Sequence, residues 1–242
     1  MDTEKAITRR TFLTGIGVTA GAIGLGVLTS ACNDKKASKQ GIDKELYPIY
    51  DGTQYIVKDF SHLTKNSALG LSPEIIANHL NLYKAYVEKV NKSEAMMANN
   101  QIDDFSLKNL AFSLNGMALH DIYFNNMSTE ASTRSAALNK AIEATFGSYE
   151  TYFKNLTDLA MKVEGWSITA LNLLNGKIFN YAEDTHSSNF PNYIMPILAL
   201  DVYDHAYVLD YGEEGKAEYI NAWTKSINWD IVSRRFDAVK GL

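Results

Sequence analysis

Apolar residues recur at helical spacing in the first half of the chain, beginning just after residue 70. Ser72 followed by Pro73 indicates a helix start, because serine caps a helix N-terminus and proline is tolerated at the first helical position. The residues that follow at helical spacing are Ile75, Ile76, His79, Leu82, Tyr83, Tyr86 and Val90. A second segment, about residues 105–126, shows the same spacing and ends in polar residues. The pattern therefore predicts two long successive helices, which form a helical hairpin.

The pattern changes to that of strands after Gly165. Residues 166–174 are strand-like, and a second short strand candidate follows at 177–181. Between them stands Asn175-Gly176, a strong signal for a hairpin with a type I′ turn, which needs positive φ at both central residues. A third strand candidate covers 192–200. These segments predict a three-stranded antiparallel sheet.

Further helical patterns surround the strand region, at about 133–145, 148–163 and 216–240. The predicted fold class is therefore α+β. We expect an N-terminal helical-hairpin domain over about 60–140. A mixed domain of helices and the three-stranded sheet should follow over 141–242.

Composition and charge restrict the class of partner. Hydrophobic residues make up 46% of the chain and charged residues 21%, which is typical of globular proteins. The formal net charge is -5, and no basic stripe is present. Nucleic acid is therefore not an expected partner.

The N-terminus has the pattern of a bacterial export signal over residues 1–31. Arg9-Arg10 precedes an apolar stretch that runs to about Leu28, and a twin arginine is typical of the pathway that exports folded proteins. Small residues before Cys32, the sole cysteine, resemble a lipoprotein processing site. The alternative is a transmembrane anchor. We expect an exported protein of the periplasm or cell envelope, anchored by a lipidated Cys32, with residues 32–59 as tether and N-terminal extension.

A carboxylate and a histidine stand together after the third strand candidate. The apolar run 194–200 leads into Asp201, and His205 follows four residues later. A buried carboxylate needs a partner, because an unpaired buried charge is costly. A metal ion is one such partner, and a site of imidazoles with one carboxylate suits iron or manganese better than calcium. An ion pair, a helix-capping role for Asp201, and zinc remain alternatives.

Several motifs, in order along the chain, resemble the iron/manganese superoxide dismutases. Residues 201–208 are similar to that family's D-V-W-E-H-A-Y-Y, and Gly165-Trp166 to its G-W at the start of the sheet. Residues 119–127 resemble N-H-x-F-Y-W-N-S-M, and 72–79 resemble S-x-E-T-I-E-Y-H. Residues 226–229 resemble its terminal V-N-W.

The resemblance implies one manganese or iron ion per chain, held by three histidines and one aspartate. Carried over to this sequence, the ligands are His79, His120, Asp201 and His205. Tyr86 corresponds to the family's gateway tyrosine. The implied activity is conversion of superoxide to dioxygen and hydrogen peroxide. The alternative is a non-enzymatic metal-binding or interaction lipoprotein that keeps the fold.

The sequence departs from the family pattern near the first ligand and at the dimer interface. His79 and Tyr86 are seven residues apart instead of the family's usual eight, so that an ungapped alignment from Tyr86 places Asn78 at the ligand position. Imidazole is the better ligand, which favours His79. The tryptophan and glutamate of the D-V-W-E-H motif are Tyr203 and Asp204. Any homodimer should therefore have an altered interface.

A further substitution concerns the glutamine that family members place near the metal-bound solvent. One of its two usual positions is Gly116 here, which has no side chain. The other position, counted along the hairpin, is His186. We therefore predict that His186 hydrogen-bonds the metal-bound solvent. The alternative is an exposed loop histidine.

Overall fold

The computed structural model describes residues 43–65, 69–101 and 103–240. The strands are β1 (Ile49–Tyr50), β2 (Tyr55–Ile56), β3 (Trp166–Asn172), β4 (Ile178–Glu183) and β5 (Ile194–Asp201). The α-helices are α1 (Pro73–Ala98), α2 (Asp104–Asn125), α3 (Ala136–Phe146), α4 (Tyr149–Ala160), α5 (Asp204–Tyr211), α6 (Lys216–Lys225) and α7 (Trp229–Val239). The predicted α+β class is confirmed.

The helical hairpin is formed by α1 and α2, as the apolar spacing predicted. The hydroxyl of Ser72 accepts a hydrogen bond from the backbone N–H of Ile75, which caps α1. The buried face of α1 includes Ile76, His79 and Tyr86, three of the residues identified by their spacing. The hairpin therefore presents His79 and Tyr86 to the interior. The domain boundary near residue 140 remains a prediction.

The three-stranded antiparallel sheet has β3 in the centre, with β4 and β5 on either side. The turn between β3 and β4 differs from the type I′ prediction. Gly176 has φ of 69°, but Asn175 is not among the residues with positive φ. The N–H of Gly176 donates to the carbonyl of Asn172, which closes a four-residue loop instead of a two-residue one. Four-residue loops do not need two adjacent residues with positive φ.

Three of the helices around the sheet begin at polar caps, which explains where they start in the chain. Ser135 caps α3 and Ser148 caps α4, each through its hydroxyl oxygen. Asn228 caps α7 with its side-chain oxygen. This cap and the residues before it divide the predicted 216–240 helix into α6 and α7.

The N-terminal extension contains a short two-stranded hairpin that the sequence pattern did not predict. Two residues after the end of β2, Lys58 places its ammonium group 2.9 Å from the carboxylate of Asp121 on α2. Tyr83 of α1 donates a hydrogen bond to the other carboxylate oxygen of Asp121, at 3.2 Å. Asp121 is fully buried. Burial lowers the pKa of Lys58 and raises that of Asp121, so each charge depends on the other.

Replacing Lys58 by methionine is expected to destabilise the fold by about 3 kcal/mol, because Asp121 would stay buried without its cation. Denaturant unfolding at pH 7 measures the change. Lys84→Met is the control, since Lys84 forms only an exposed pair with Glu88 and should change stability by at most about 0.5 kcal/mol. Equal losses in the two variants would contradict the prediction.

A buried arginine joins the N-terminal extension to both parts of the fold. The side chain of Arg235 on α7 is fully buried. It donates to the carbonyl of Leu46 at 3.0 Å, to the side-chain oxygen of Asn126 at 2.7 Å and to the carbonyl of Ile197 at 2.7 Å. One guanidinium group therefore connects the extension, the end of α2 and strand β5.

The predictions about the export signal, including those for Arg9, Arg10 and Cys32, lie outside the described residues. Within the described part of the chain, no helix combines the length and apolar character needed to cross a membrane.

Candidate metal site

Four side chains from four different elements converge in the interior. His79 comes from α1, His120 from α2, Asp201 from the end of β5 and His205 from α5. One nitrogen or oxygen atom of each side chain can act as a ligand, and these atoms all lie within 4.8 Å of one another. Elsewhere among the described residues, no other group of three or more His, Cys, Asp or Glu converges in this way.

The carboxylate of Asp201 is the centre of the group. Its Oδ2 atom lies 3.1 Å from Nε2 of His79, 3.6 Å from Nε2 of His120 and 3.2 Å from Nε2 of His205. Asp201, His79 and His120 are buried, whereas about a third of the His205 side chain is exposed. The three Nε2 atoms therefore point at one region beside a single carboxylate oxygen.

Backbone contacts fix Asp201 and direct the chain into α5. Its second oxygen, Oδ1, accepts a hydrogen bond from the N–H of Tyr203 at 2.9 Å. Its carbonyl accepts the hydroxyl of Tyr219 at 2.6 Å. Helix α5 begins three residues after Asp201, which places His205 in the first turn and returns its ring to the carboxylate. The strand end and the turn after it thus position two of the four groups.

The environment of His120 tests whether a metal ion fits this site. Nδ1 of His120 lies 2.6 Å from the carbonyl of Gly116, so this nitrogen carries the proton and donates it. Nε2 is then left as a free lone pair, and this buried atom has no hydrogen-bond partner among the described residues. An unpartnered imidazole nitrogen beside a carboxylate is what a metal ion requires. The donor set of three nitrogens and one carboxylate fits one manganese or iron ion.

The protonation states also suit metal binding. Burial lowers the pKa of His79, and it lowers that of His120 to well below the usual range. Burial acts against the charged form of Asp201, but the charge of His205 and hydrogen bonds from His205 and His79 hold its pKa well below the usual range. Neutral His79 and His120 and an ionised Asp201 are the forms that bind metals. Burial opposes the charged form of His205, but the Asp201 carboxylate raises its pKa, so the His205 ring must release its proton when an ion binds.

The two candidates for the first ligand have different surroundings. His79 is buried with its ring facing Asp201, whereas Asn78 is exposed. Tyr83 points away from the group and donates to Asp121. Tyr86 lies beside the four converging groups, with its ring centre 5.2 Å from that of His120. A spacing of seven residues is two helical turns, so His79 and Tyr86 share one face of α1.

We expect His79→Ala to lose bound metal and Asn78→Ala to retain it. The first variant removes an imidazole that points at the other three converging groups, whereas the second changes an exposed amide. Elemental analysis of the two purified variants after metal loading provides the comparison. Retention of a full metal equivalent by His79→Ala would contradict the assignment.

His186 and Tyr86 lie next to each other beside the four converging groups, and the space that they line is the metal pocket. Its ring is 4.9 Å from that of Tyr86 and 5.6 Å from that of His120, measured between ring centres. Only 1% of the residue is exposed, which excludes an exposed loop histidine. A side chain at Gly116 would not fit, because its Cβ would lie 2.9 Å from Nδ1 of His186 and 3.0 Å from the ring of Tyr86. The glycine thus leaves space for the histidine.

Aromatic residues close the remaining sides. Trp166 lies with its ring centre 5.1 Å from that of His120, and Tyr203 stacks on His205 at 5.2 Å. Phe112, which the sequence did not single out, lies 4.6 Å from His186 between ring centres. The remaining histidine, His62, is exposed and lies outside the group of converging side chains.

Comparisons with known proteins agree with this geometry. The family described as iron/manganese superoxide dismutases, C-terminal domain, matches residues 134–235. The chain is 31% identical over 190 residues to a superoxide dismutase [Fe] from Aquifex pyrophilus, an alignment that covers 73% of this chain and 89% of the relative. It is 32% identical over 170 residues to a superoxide dismutase [Mn] from Mycolicibacterium smegmatis, covering 66% of this chain and 82% of the relative.

The chain therefore belongs to the iron/manganese superoxide dismutase family. The relatives are named for iron in one case and manganese in the other. Both metals are consistent with the donor set, and the predicted cofactor class of one manganese or iron ion is confirmed.

Proposed function

We propose that this protein is a superoxide dismutase, which converts two superoxide ions and two protons to dioxygen and hydrogen peroxide. The observation that carries the proposal is the convergence of His79, His120, Asp201 and His205 in a chain of this family. In this assignment the four side chains are the metal ligands. A bound manganese or iron ion supplies one-electron oxidation and reduction, since it changes between two oxidation states.

The ligand residues set the charge and orientation of the site. Asp201 brings a single negative charge, and the three imidazoles bring none while they are neutral. The carbonyl of Gly116 holds the ring of His120 by its Nδ1–H, so that Nε2 faces the ligand group. Because the groups come from four packed elements, little rearrangement is needed to hold the ion.

Tyr86 and His186 are suited to meet a small anion and supply protons. Burial raises the pKa of Tyr86 to about 12, so its hydroxyl stays protonated at neutral pH. Burial lowers the pKa of His186 to about 4, so its ring is neutral and keeps one N–H. Lys89 places its ammonium group 5.3 Å from the centre of the Tyr86 ring, which favours an anionic substrate.

The direct test is to load the purified protein with manganese or with iron, determine the metal content and measure superoxide dismutation. We expect one ion per chain and metal-dependent turnover with at least one of the two ions. Stoichiometric metal binding without dismutation for either ion would instead favour the non-enzymatic metal-binding lipoprotein.

We also propose that any homodimer uses the family's general face with altered contacts. His205 is partly exposed, and the adjacent Asp204 is one methylene shorter than the glutamate of the family motif. A shorter side chain reaches less far into a partner subunit. Light scattering after size-exclusion chromatography determines the oligomeric state, and a dimer whose stability is unchanged in Asp204→Ala would contradict this proposal.

For location, we propose export by the twin-arginine route and a lipid anchor on Cys32. The pattern of Arg9-Arg10, an apolar stretch and a cysteine after small residues supports it. Replacing both arginines by lysine should leave the precursor in the cytoplasm. Cys32→Ser should release the exported protein from membranes. Cell fractionation measures both, and an unchanged location in either variant would contradict that part of the proposal.

A further inference from the structure

A buried carboxylate that the family resemblance does not account for lies beside the metal pocket. Glu183, the last residue of β4, is fully buried. Neither of its carboxylate oxygens has a hydrogen-bond partner among the described residues. The same is true of three buried groups nearby, which are Nε1 of Trp166, the hydroxyl of Tyr181 and both ring nitrogens of His186. Buried polar atoms are rarely left unpartnered in native proteins, so this cluster requires an explanation.

The sheet register places Glu183 in a row with Trp166 and Asp201. Trp166 on the central strand is directly opposite Glu183 of β4 and directly opposite Asp201 of β5. Residues directly opposite in an antiparallel pair project from the same face of the sheet, about 5 Å apart. The ring of Trp166 faces His120 and His186, so this is the face toward the metal ligands. Glu183 therefore lies next to Trp166, which separates it from Asp201.

The hydrogen-bonding capacities of these groups complement one another. The indole N–H of Trp166 is a donor only, whereas a carboxylate accepts through both oxygens. Tyr181 is two residues from Glu183 on the same strand and projects from the same face. Tyr203 borders the same cluster, with its ring centre 6.4 Å from that of Trp166. The cluster thus contains acceptors that match its donors, although none of its unpartnered atoms makes a hydrogen bond within the described part of the structure.

The backbone holds this end of β4 in a fixed place. A Cβ on Gly165 would lie only 2.3 Å from the carbonyl oxygen of Glu183, so glycine allows the two strands to approach closely. Three residues after Glu183, the carbonyl of His186 accepts a hydrogen bond from the side-chain amide of Asn115 at 2.6 Å. Glu183 and His186 therefore belong to one tightly held segment that borders the pocket.

We propose that Glu183 is a positioning residue of the metal pocket. Rotation of the Glu183 side chain toward the adjacent Trp166 lets its buried carboxyl group accept the indole N–H, and with Tyr181 it then holds the Trp166 ring against His120 and His186. The hydrogen bond itself does not depend on enzymatic activity, whereas the contribution to turnover rests on the proposed dismutase function. In that role Glu183 acts through Trp166 and touches neither substrate nor metal.

The charge state of Glu183 provides a way to observe the contact. Burial raises its pKa to about 7, and the hydroxyl of Tyr181 acts in the opposite direction. The carboxyl group is consequently protonated in mildly acidic solution and charged in mildly alkaline solution. A charged acceptor makes a stronger hydrogen bond than a neutral one, so the indole N–H should respond to this ionisation.

The test follows the three indole N–H signals of the purified, metal-free protein by ¹⁵N-resolved NMR between pH 5 and pH 9. We expect the Trp166 signal, assigned with Trp166→Phe, to shift with a midpoint near 7. In Glu183→Gln, which keeps an acceptor but cannot ionise, this shift should disappear. The signals of Trp223 and Trp229 serve as internal references in the same samples.

Two results would overturn the proposal. One is a Trp166 signal that does not change with pH in the parent protein. The other is a shift that persists in Glu183→Gln; its loss in His186→Phe would then make His186 the acceptor. Neither depends on dismutation, so failure of the inference can be separated from failure of the proposed function.

Turnover measurements then test the positioning role. We expect Glu183→Gln to keep kcat within about 3-fold of the parent and Glu183→Leu to lose about 10-fold or more, with metal content unchanged in both. Equal losses in the two variants would show that hydrogen bonding by residue 183 is irrelevant to catalysis.

Discussion

Asp201→Ala is expected to lose both bound metal and dismutation, with activity falling to the background rate. Asp201 is the only anion among the four converging groups, and its Oδ2 atom is within 3.6 Å of Nε2 of all three histidines. Losing a group that only supports a ligand already costs about 10- to 100-fold in affinity or activity, so losing an anionic ligand should cost more. Elemental analysis and a dismutation assay on the same preparation measure the two losses together.

Two further variants determine the cause of this loss. Asp201→Asn keeps the size of the side chain and removes its charge, so it should also lose metal if charge is what matters. Asp184→Ala removes an exposed carboxylate from the loop after β4 and should leave both quantities unchanged. An Asp201→Ala protein with stoichiometric metal and full turnover would refute the ligand assignment.

His186→Ala is expected to retain the metal and lose about 10- to 100-fold of kcat. The ring lies in the pocket with Tyr86 but outside the four-residue ligand group. Its removal therefore changes hydrogen bonding near the ion without removing a ligand. Metal content, kcat and the visible absorption spectrum of the loaded protein provide the readouts.

The effect of a substitution at residue 186 depends on the side chain that replaces histidine. His186→Gln should keep the metal but change its reduction potential and preferred ion, because an amide places its donor and acceptor differently from an imidazole. His62→Ala is a suitable control, since His62 is exposed. Parental activity and an unchanged spectrum in His186→Ala would limit His186 to a packing role.

The helical hairpin and the sheet were predictable because apolar residues recur at regular spacing over long segments of the chain. The start of α1 at Pro73 and the start of β3 at Trp166 agree with the sequence pattern. The β3–β4 turn was predicted incorrectly because Asn-Gly is also compatible with a four-residue loop. Side chains decide the outcome here, since Asn172 and Asn175 each accept a backbone N–H within this loop.

The candidate site and its neighbours Tyr86 and His186 were predictable from motifs, but the other surroundings, such as Phe112 and Glu183, were not. His120 and Asp201 stand in sequences that resemble the family's ligand motifs, which a single chain displays directly. The alternation along β4 is compatible with a buried residue at Glu183, yet it cannot indicate that Trp166 lies opposite. That neighbour depends on strand register, which links residues 17 positions apart.

The buried contacts of Arg235 have a consequence for the order of folding. This side chain reaches Leu46, 189 residues earlier in the chain, and its other partners lie 109 and 38 residues away. Contacts of such separation form late, since the chain must first lose the entropy of closing large loops. During synthesis, the N-terminal extension cannot complete its interior contacts until α7 has emerged from the ribosome. The hairpin of α1 and α2 can form earlier, but the N-terminal extension can pack fully only when α7 is in place.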